Sequence, residues 1–118
     1  MEQELKSIIS EKNGMIQKGQ IVEATDRFFA SNAVTKDFDG TLTNNKSEMI
    51  NKMEQFVGAI SQVNGITLHN VSVSGDVTFS EYTFDFDMKD GSHILWHEII
   101  RSVWKDGLIV EEEYFKGF

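Results

Sequence analysis

The sequence predicts an α+β domain in which three N-terminal helices pack on a curved antiparallel sheet, a cone-like α+β roll. Two observations carry this. Apolar residues recur with a helical period up to about residue 60, and from Ile66 onward the period becomes two. The second half is also punctuated by Gly75-Asp76, Asp90-Gly91 and Asp106-Gly107, and the two Asp-Gly pairs are strong hairpin signals. Helices first and a meander after is the order of an α+β fold with its helices on one sheet face. The chain of 118 residues carries no repeat or linker, so residues 1–118 read as one domain, large enough for a core without staples.

Leu5, Ile8, Ile9, Met15 and Ile16 mark a first helix over about residues 2–17, broken at Lys18-Gly19. Gly14 within it costs about 1 kcal/mol relative to Ala. Ile21, Val22, Thr25, Phe28 and Phe29 share one face of a second helix, expected to end near Ser31-Asn32. A short extended segment, Ala33 to Phe38, then leads into a polar loop from Asp39 to Asn44. Asn45 with Glu48 three residues on resembles a capping box. Behind it Met49, Met53, Phe56, Val57 and Ile60 form the apolar face of a third helix, with Asn64-Gly65 as its expected stop. Strands are expected at about 66–74, 77–89, 92–105 and 108–116.

Alternation along these strands predicts which side chains meet. Tyr82, Phe84, Phe86 and Met88 point one way, and Glu81, Thr83, Asp85 and Asp87 the other. On the next strand Ile94, Trp96, Glu98, Ile100, Ser102 and Trp104 share one face. His93, Leu95, His97, Ile99, Arg101 and Val103 share the opposite one. Both faces are largely apolar and one helical layer covers only one of them, so the second is expected to pair with another copy of the chain, the plainer alternative being that a terminus crosses it. The run Glu111-Glu112-Glu113 must place at least one acid on the inner face, and so must the pair His97-Glu98. A carboxyl among rings has its charged form disfavoured, which is how a general acid or base is prepared; at an open strand end it would merely be solvated.

Composition narrows the function. The chain has no Cys, which excludes disulfides, thiolate metal sites and a cysteine nucleophile and fits a reducing compartment. Its N-terminus lacks a secretory pattern and no apolar run approaches the ~18 residues of a membrane span, so the cytoplasm is the expected location. The net charge of −8, with basic residues scattered singly, disfavours nucleic acid. His93 and His97 are four apart, about 13 Å on a strand, too far to share a metal. No HExxH, P-loop, GxGxxG or GxSxG occurs. No cofactor or metal is expected.

Asp37-Phe38-Asp39-Gly40-Thr41-Leu42-Thr43 resembles the nucleophile motif of the haloacid-dehalogenase-like phosphatases. That motif ends a buried parallel strand, whereas Lys36 precedes it here and a meander follows. A Mg-dependent phosphatase is the remote alternative. The wider stretch Phe28 to Gly40, the element order and the hairpin Trp104-Lys105-Asp106-Gly107-Leu108-Ile109 together resemble the nuclear-transport-factor-2-like superfamily, with its ketosteroid-isomerase-like and SnoaL-like members. The resemblance covers essentially the whole chain. It implies a cone with a deep apolar pocket, commonly dimeric, and a general base at Asp37. The Tyr of the isomerase site falls near Lys12, and the second acid matches Glu98 about two residues out of register. What it implies is therefore acid–base work by Asp37 with Glu98 or His97, and steroid isomerisation is not expected.

The expected function is a cofactor-free isomerase, dehydratase or cyclase acting on a small apolar or amphipathic molecule. Asp37, Glu98 and His97 are its candidate catalytic residues, and Phe28, Phe56, Tyr82, Phe84, Trp96 and Trp104 its candidate pocket wall. The alternative is a non-catalytic ligand-binding or dimerisation domain on the same fold, since fold does not decide function. For Asp37 the plainer reading is a loop carboxylate serving the turn that follows, and for the rings it is simple core packing.

Overall fold

The computed structural model describes residues 2–117. Its elements are α1 (Glu2–Gln17), α2 (Ile21–Phe28), β1 (Phe29–Lys36), β2 (Leu42–Thr43), α3 (Lys46–Gly58), β3 (Ile60–Ser74), β4 (Val77–Met88), β5 (His93–Lys105) and β6 (Leu108–Lys116). The strands form one curved, unclosed sheet in the order β2-β1-β6-β5-β4-β3. The four long strands make the antiparallel meander that their period and turns predict. At the last hairpin Asp106 (φ 54) and Gly107 (φ 80) both take positive φ, the backbone of a two-residue turn that matches strand twist.

Three expectations are corrected. The sheet is mixed: β1 runs parallel to β6, with Val34, Thr35 and Lys36 opposite Glu111, Glu112 and Glu113. This pairing joins segments far apart in sequence, so no local period announces it. Second, α2 ends at Phe28, and Phe29 to Asn32 belong to β1. Phe29 turns to extended backbone (φ −89, ψ 136) and is buried at the strand's start. Pairing with β6 and burial of the ring outweigh the helical spacing of one short stretch. Third, α3 stops at Gly58, and β3 starts at Ile60, opposite Met88. The length of β4 recruits a long partner, so Asn64-Gly65 lies within a strand. Gly65 sits where the register shifts, a bulge position that suits a residue without Cβ. The polar loop also holds the two residues of β2, paired to Thr35 and Lys36.

The core lies between the helices and the concave face. Leu5, Ile9 and Ile16 of α1, Ala24 and Phe28 of α2 and Met49 of α3 pack against Tyr82, Phe84, Phe86, Ile100, Trp104 and Ile109. Phe28 meets Trp104 edge-on with ring centroids 6.2 Å apart. The buried polar groups are paired: Tyr82 Oη donates to Asn13 Oδ1 at 2.6 Å, and Trp104 Nε1 donates to Thr78 Oγ1 at 3.0 Å. Among the described residues no helix is long and apolar enough to cross a membrane.

The start of α3 is held by Asn45, whose Oδ1 accepts from the Glu48 N–H at 2.9 Å while its Nδ2 donates to Glu48 Oε2 at 2.9 Å. Replacing Asn45 with Ala is expected to cost about 1 kcal/mol. The measurement is urea unfolding, with a lower midpoint and an unchanged slope.

Candidate functional site

The helices span the concave sheet without filling it. Between them lies a cavity of about 210 Å³. Strand alternation decides what the sheet offers to it: Trp96, Glu98 and Ile100 from β5, Phe84 and Phe86 from β4, Glu112 and Tyr114 from β6. The helical side contributes Lys12 and Ile16 of α1, Ile21, Ala24 and Thr25 of α2, and Lys52, Met53 and Phe56 of α3. Phe29 and the segment after β1, with Asp37 and Phe38, complete the wall. Phe56 stacks on Trp96 with centroids 5.7 Å apart, and Phe38 meets Trp96 edge-on at 6.4 Å.

Five charged side chains share this largely apolar space. Lys12 and Glu112 form a buried pair, Nζ to Oε2 3.3 Å, with side chains only 3% and 4% exposed. Glu112 also accepts from Ser102 Oγ at 2.6 Å and, on its other oxygen, from Tyr114 Oη at 2.6 Å. Asp37 is ion-paired to Lys52 through Oδ2. Glu98 differs: among the described residues none hydrogen-bonds its carboxyl group. Burial, reinforced by the negative charges of Glu112 and Asp37 and opposed only by Lys12, pushes its pKa up to about 7. Burial and the adjacent Glu112 also raise the Tyr114 hydroxyl well above the ordinary phenol range, so it remains a proton donor.

The structure brings Asp37 and Glu98 to one cavity and puts His97 elsewhere. As neighbours on a strand, Glu98 and His97 face opposite sides. His97 Nε2 lies 2.5 Å from Glu81 Oε2 on the outer face, near the His69 ring. Phe56, Phe84 and Trp96 line the cavity, whereas Phe28, Tyr82 and Trp104 lie in the core beside it. Of the three consecutive acids, Glu112 is the buried one, and Glu111 reaches Arg101 at 2.8 Å on the outer face. Asp39 serves the turn: its Oδ1 accepts from the Thr41 N–H at 2.9 Å, which also holds its carboxyl below the ordinary range. With one carboxylate of the Asp37-Phe38-Asp39 string in the turn and no doubly wound core, the phosphatase architecture is absent. Among the described residues no group of three or more His, Asp or Glu side chains could hold a metal.

Lys12, Lys52, Tyr114 and Phe38 also line the cavity and were not among the residues expected there. The signal for Lys12 lay in α1, where Lys12 and Asn13 interrupt the stripe Leu5-Ile9-Ile16 and are both buried. Lys52 likewise stands beside Met53 on the inner face of α3. Tyr114 follows Glu112 by two residues, and so shares its face.

The raised pKa of Glu98 has a consequence for stability. Between the ordinary Glu value of 4.5 and about 7 the folded chain keeps a proton that the unfolded chain gives up. Stability contributed by this group therefore falls as pH rises through that window, by roughly 3 kcal/mol in all. Replacing Glu98 with Gln is expected to flatten the profile there and to stabilise the protein above pH ~7. Urea denaturation at a series of pH values checks this.

No family profile and no curated protein sequence matches the chain. Solved structures do. A Mesorhizobium loti protein described as a SnoaL-like polyketide cyclase [carbohydrate phosphatase] superposes with a TM-score of 0.83 at 19% identity, over 94% of this chain and 97% of that one. A hypothetical protein of Catenulispora acidiphila with a ketosteroid-isomerase-like fold, in complex with trimethylamine, gives 0.75 at 14% identity, over 92% and 83%. An NTF2-like protein of unknown function from Burkholderia pseudomallei gives 0.78 at 11% identity, over 95% and 89%. With its three helices laid across an unclosed curved sheet, this chain has the nuclear-transport-factor-2-like cone fold that SnoaL-like and ketosteroid-isomerase-like proteins share.

Proposed function

We propose that the cavity binds a small, largely apolar molecule and moves a proton on it without a cofactor, with Asp37 as base and Glu98 as acid. The observation that carries this reading is the pair of carboxyl groups in one aromatic cavity in different surroundings. Asp37 is ion-paired to Lys52, and Glu98 is desolvated without a partner among the described residues. Two titratable groups held in contrasting environments are the usual signature of an acid and a base.

Cavity size limits the substrate. An apolar cavity of about 150 Å³ accepts benzene, so about 210 Å³ suits roughly eight to ten non-hydrogen atoms. That is one ring with a substituent inside the cavity, whose open side leaves room for a longer body to extend outward. With a carbonyl group near Glu98, the Asp37 carboxylate would remove a proton from the adjacent carbon. Protonated Glu98 would give its proton to the oxygen as charge develops there. With a double bond next to the enol, protonated Asp37 would then return its proton to the far carbon while the enol O–H gives its proton back to Glu98, which completes an isomerisation. Each positioned group is worth about 10²- to 10⁴-fold in such a step. Lys52 fixes the base, and the Lys12–Glu112 pair sets the field around the acid. The complex of the Catenulispora protein with trimethylamine is in keeping with a small ligand on this fold.

One observation favours the second reading, a binding domain without catalysis. Tyr114 donates its hydroxyl proton to Glu112, so it is not free to support an oxyanion beside Glu98. Exchange of α-protons in D₂O, followed by NMR on one-ring ketones and enones, separates the two readings. Catalysed exchange is expected, reduced about 10²- to 10⁴-fold by Asp37→Asn and falling above pH ~7 as Glu98 loses its proton. Binding without exchange across the panel would leave only the binding domain.

A second copy of the chain is the partner we propose for the outer sheet face. Leu95 (61% exposed), Phe115 (43%), Ile99 (37%) and Phe79 (37%) are displayed there, with Ile99 directly opposite Phe115. Sedimentation is expected to give a dimer at micromolar concentration that Ile99→Lys dissociates; a monomeric parent protein would reject it.

A further inference from the structure

We propose that the molecule held in this cavity carries a protonated amine, seated between the Glu98 carboxylate and the faces of the aromatic rings around Trp96. The inference rests on reading the cavity as a ligand site and adds the chemical class of the ligand.

Charge balance is the first argument. The groups facing Glu98 are Lys12 from α1, Asp37 after β1, Lys52 from α3, and Glu112 and Tyr114 from β6. Two cations thus meet three carboxyl groups, and both cations are taken: Lys12 by Glu112 and Lys52 by Asp37. Both oxygens of Glu112 are engaged, one by Lys12 and Ser102 and the other by Tyr114. Glu98 is the acid left over. Ionising it alone leaves one uncompensated negative charge in an apolar space, which is costly. A cation entering beside it cancels that charge, and the negative field of Glu112 and Asp37 that opposes ionisation of Glu98 attracts the same cation.

The second argument is the wall around it. Trp96 precedes Glu98 by two residues on the same strand face, placing its Cα about 7 Å along the strand. Phe56 stacks on Trp96, Phe38 meets it edge-on, and Phe84 is its cross-strand partner. Ring faces within ~6 Å attract an ammonium group, most strongly when water is excluded. The remaining wall is apolar and takes the body of the ligand.

Proton count follows directly. At pH ~6 to ~8 a primary amine is already an ammonium ion in solution, so it brings its own proton, and seating it against the Glu98 carboxylate expels the proton that a protonated Glu98 holds. Glu98 is an anion in this complex and cannot also be the acid of the proton transfer, so an amine ligand goes with the binding reading of the cavity.

Calorimetric titration with benzylamine and benzyl alcohol, matched in size and shape, tests the proposal. At pH ~8, where Glu98 is ionised, the amine is expected to bind about tenfold tighter. At pH ~6 that preference shrinks, because binding must first release the Glu98 proton, and buffer-dependent heats record up to about one proton released. Glu98→Gln removes the preference while benzyl alcohol affinity stays within about threefold. Trp96→Leu weakens the amine more than the alcohol. If the alcohol binds and the amine shows no advantage, or keeps it in Glu98→Gln, the amine proposal falls and the ligand site stands. If neither compound binds at millimolar concentration, the ligand-site reading falls and the amine proposal with it.

Discussion

The buried ion pair between Lys12 and Glu112 is the contact on which the rest of the molecule turns. It bridges the first helix and the last strand, elements at opposite ends of the chain, and so ties the helical layer to the sheet. Two charges this deeply buried carry a desolvation cost that their attraction alone does not reliably offset. Here the hydroxyls of Ser102 and Tyr114 fill the remaining acceptor positions of Glu112, which makes the arrangement tolerable. The pair then imposes its own conditions. It orients Tyr114, and it places a fixed negative group beside Glu98.

Glu98, half-buried on the cavity side of β5, differs from the fully buried polar groups around it, which are hydrogen-bonded. Tyr82 has Asn13, Asn13 has Ser80 and Trp104 has Thr78. A carboxyl group facing an aromatic cavity with no hydrogen-bond donor among the described residues is a local cost in stability.

The two sides of β5 serve different ends through one rule of strand geometry. Trp96, Glu98 and Ile100 face the cavity, while Leu95, His97 and Ile99 face outward among ion pairs such as Arg101–Glu111. A shift of one residue in register would exchange the two sets. The dense pairing of β4 with both neighbours, eleven aligned partners on the β5 side alone from Val77↔Val103 to Asp87↔His93, guards against that shift.

Local periodicity determined most of the fold here. Helices at the start, the meander, its turns, the cap at Asn45 and the inward face of β4 all follow from spacing over a few residues. It also established that Glu98 shares a face with Trp96, and that one of three consecutive acids must turn inward. Tertiary structure decided the rest. The parallel pairing of β1 with β6, the early ends of α2 and α3, and the choice of Glu112 as the buried acid all depend on partners distant in the chain. So do the pairing of Lys12 with that acid and the exclusion of His97 from the cavity. The physical reason is the same throughout: a local pattern says which way a side chain can point, but the charge it meets there is supplied by an element elsewhere in the sequence.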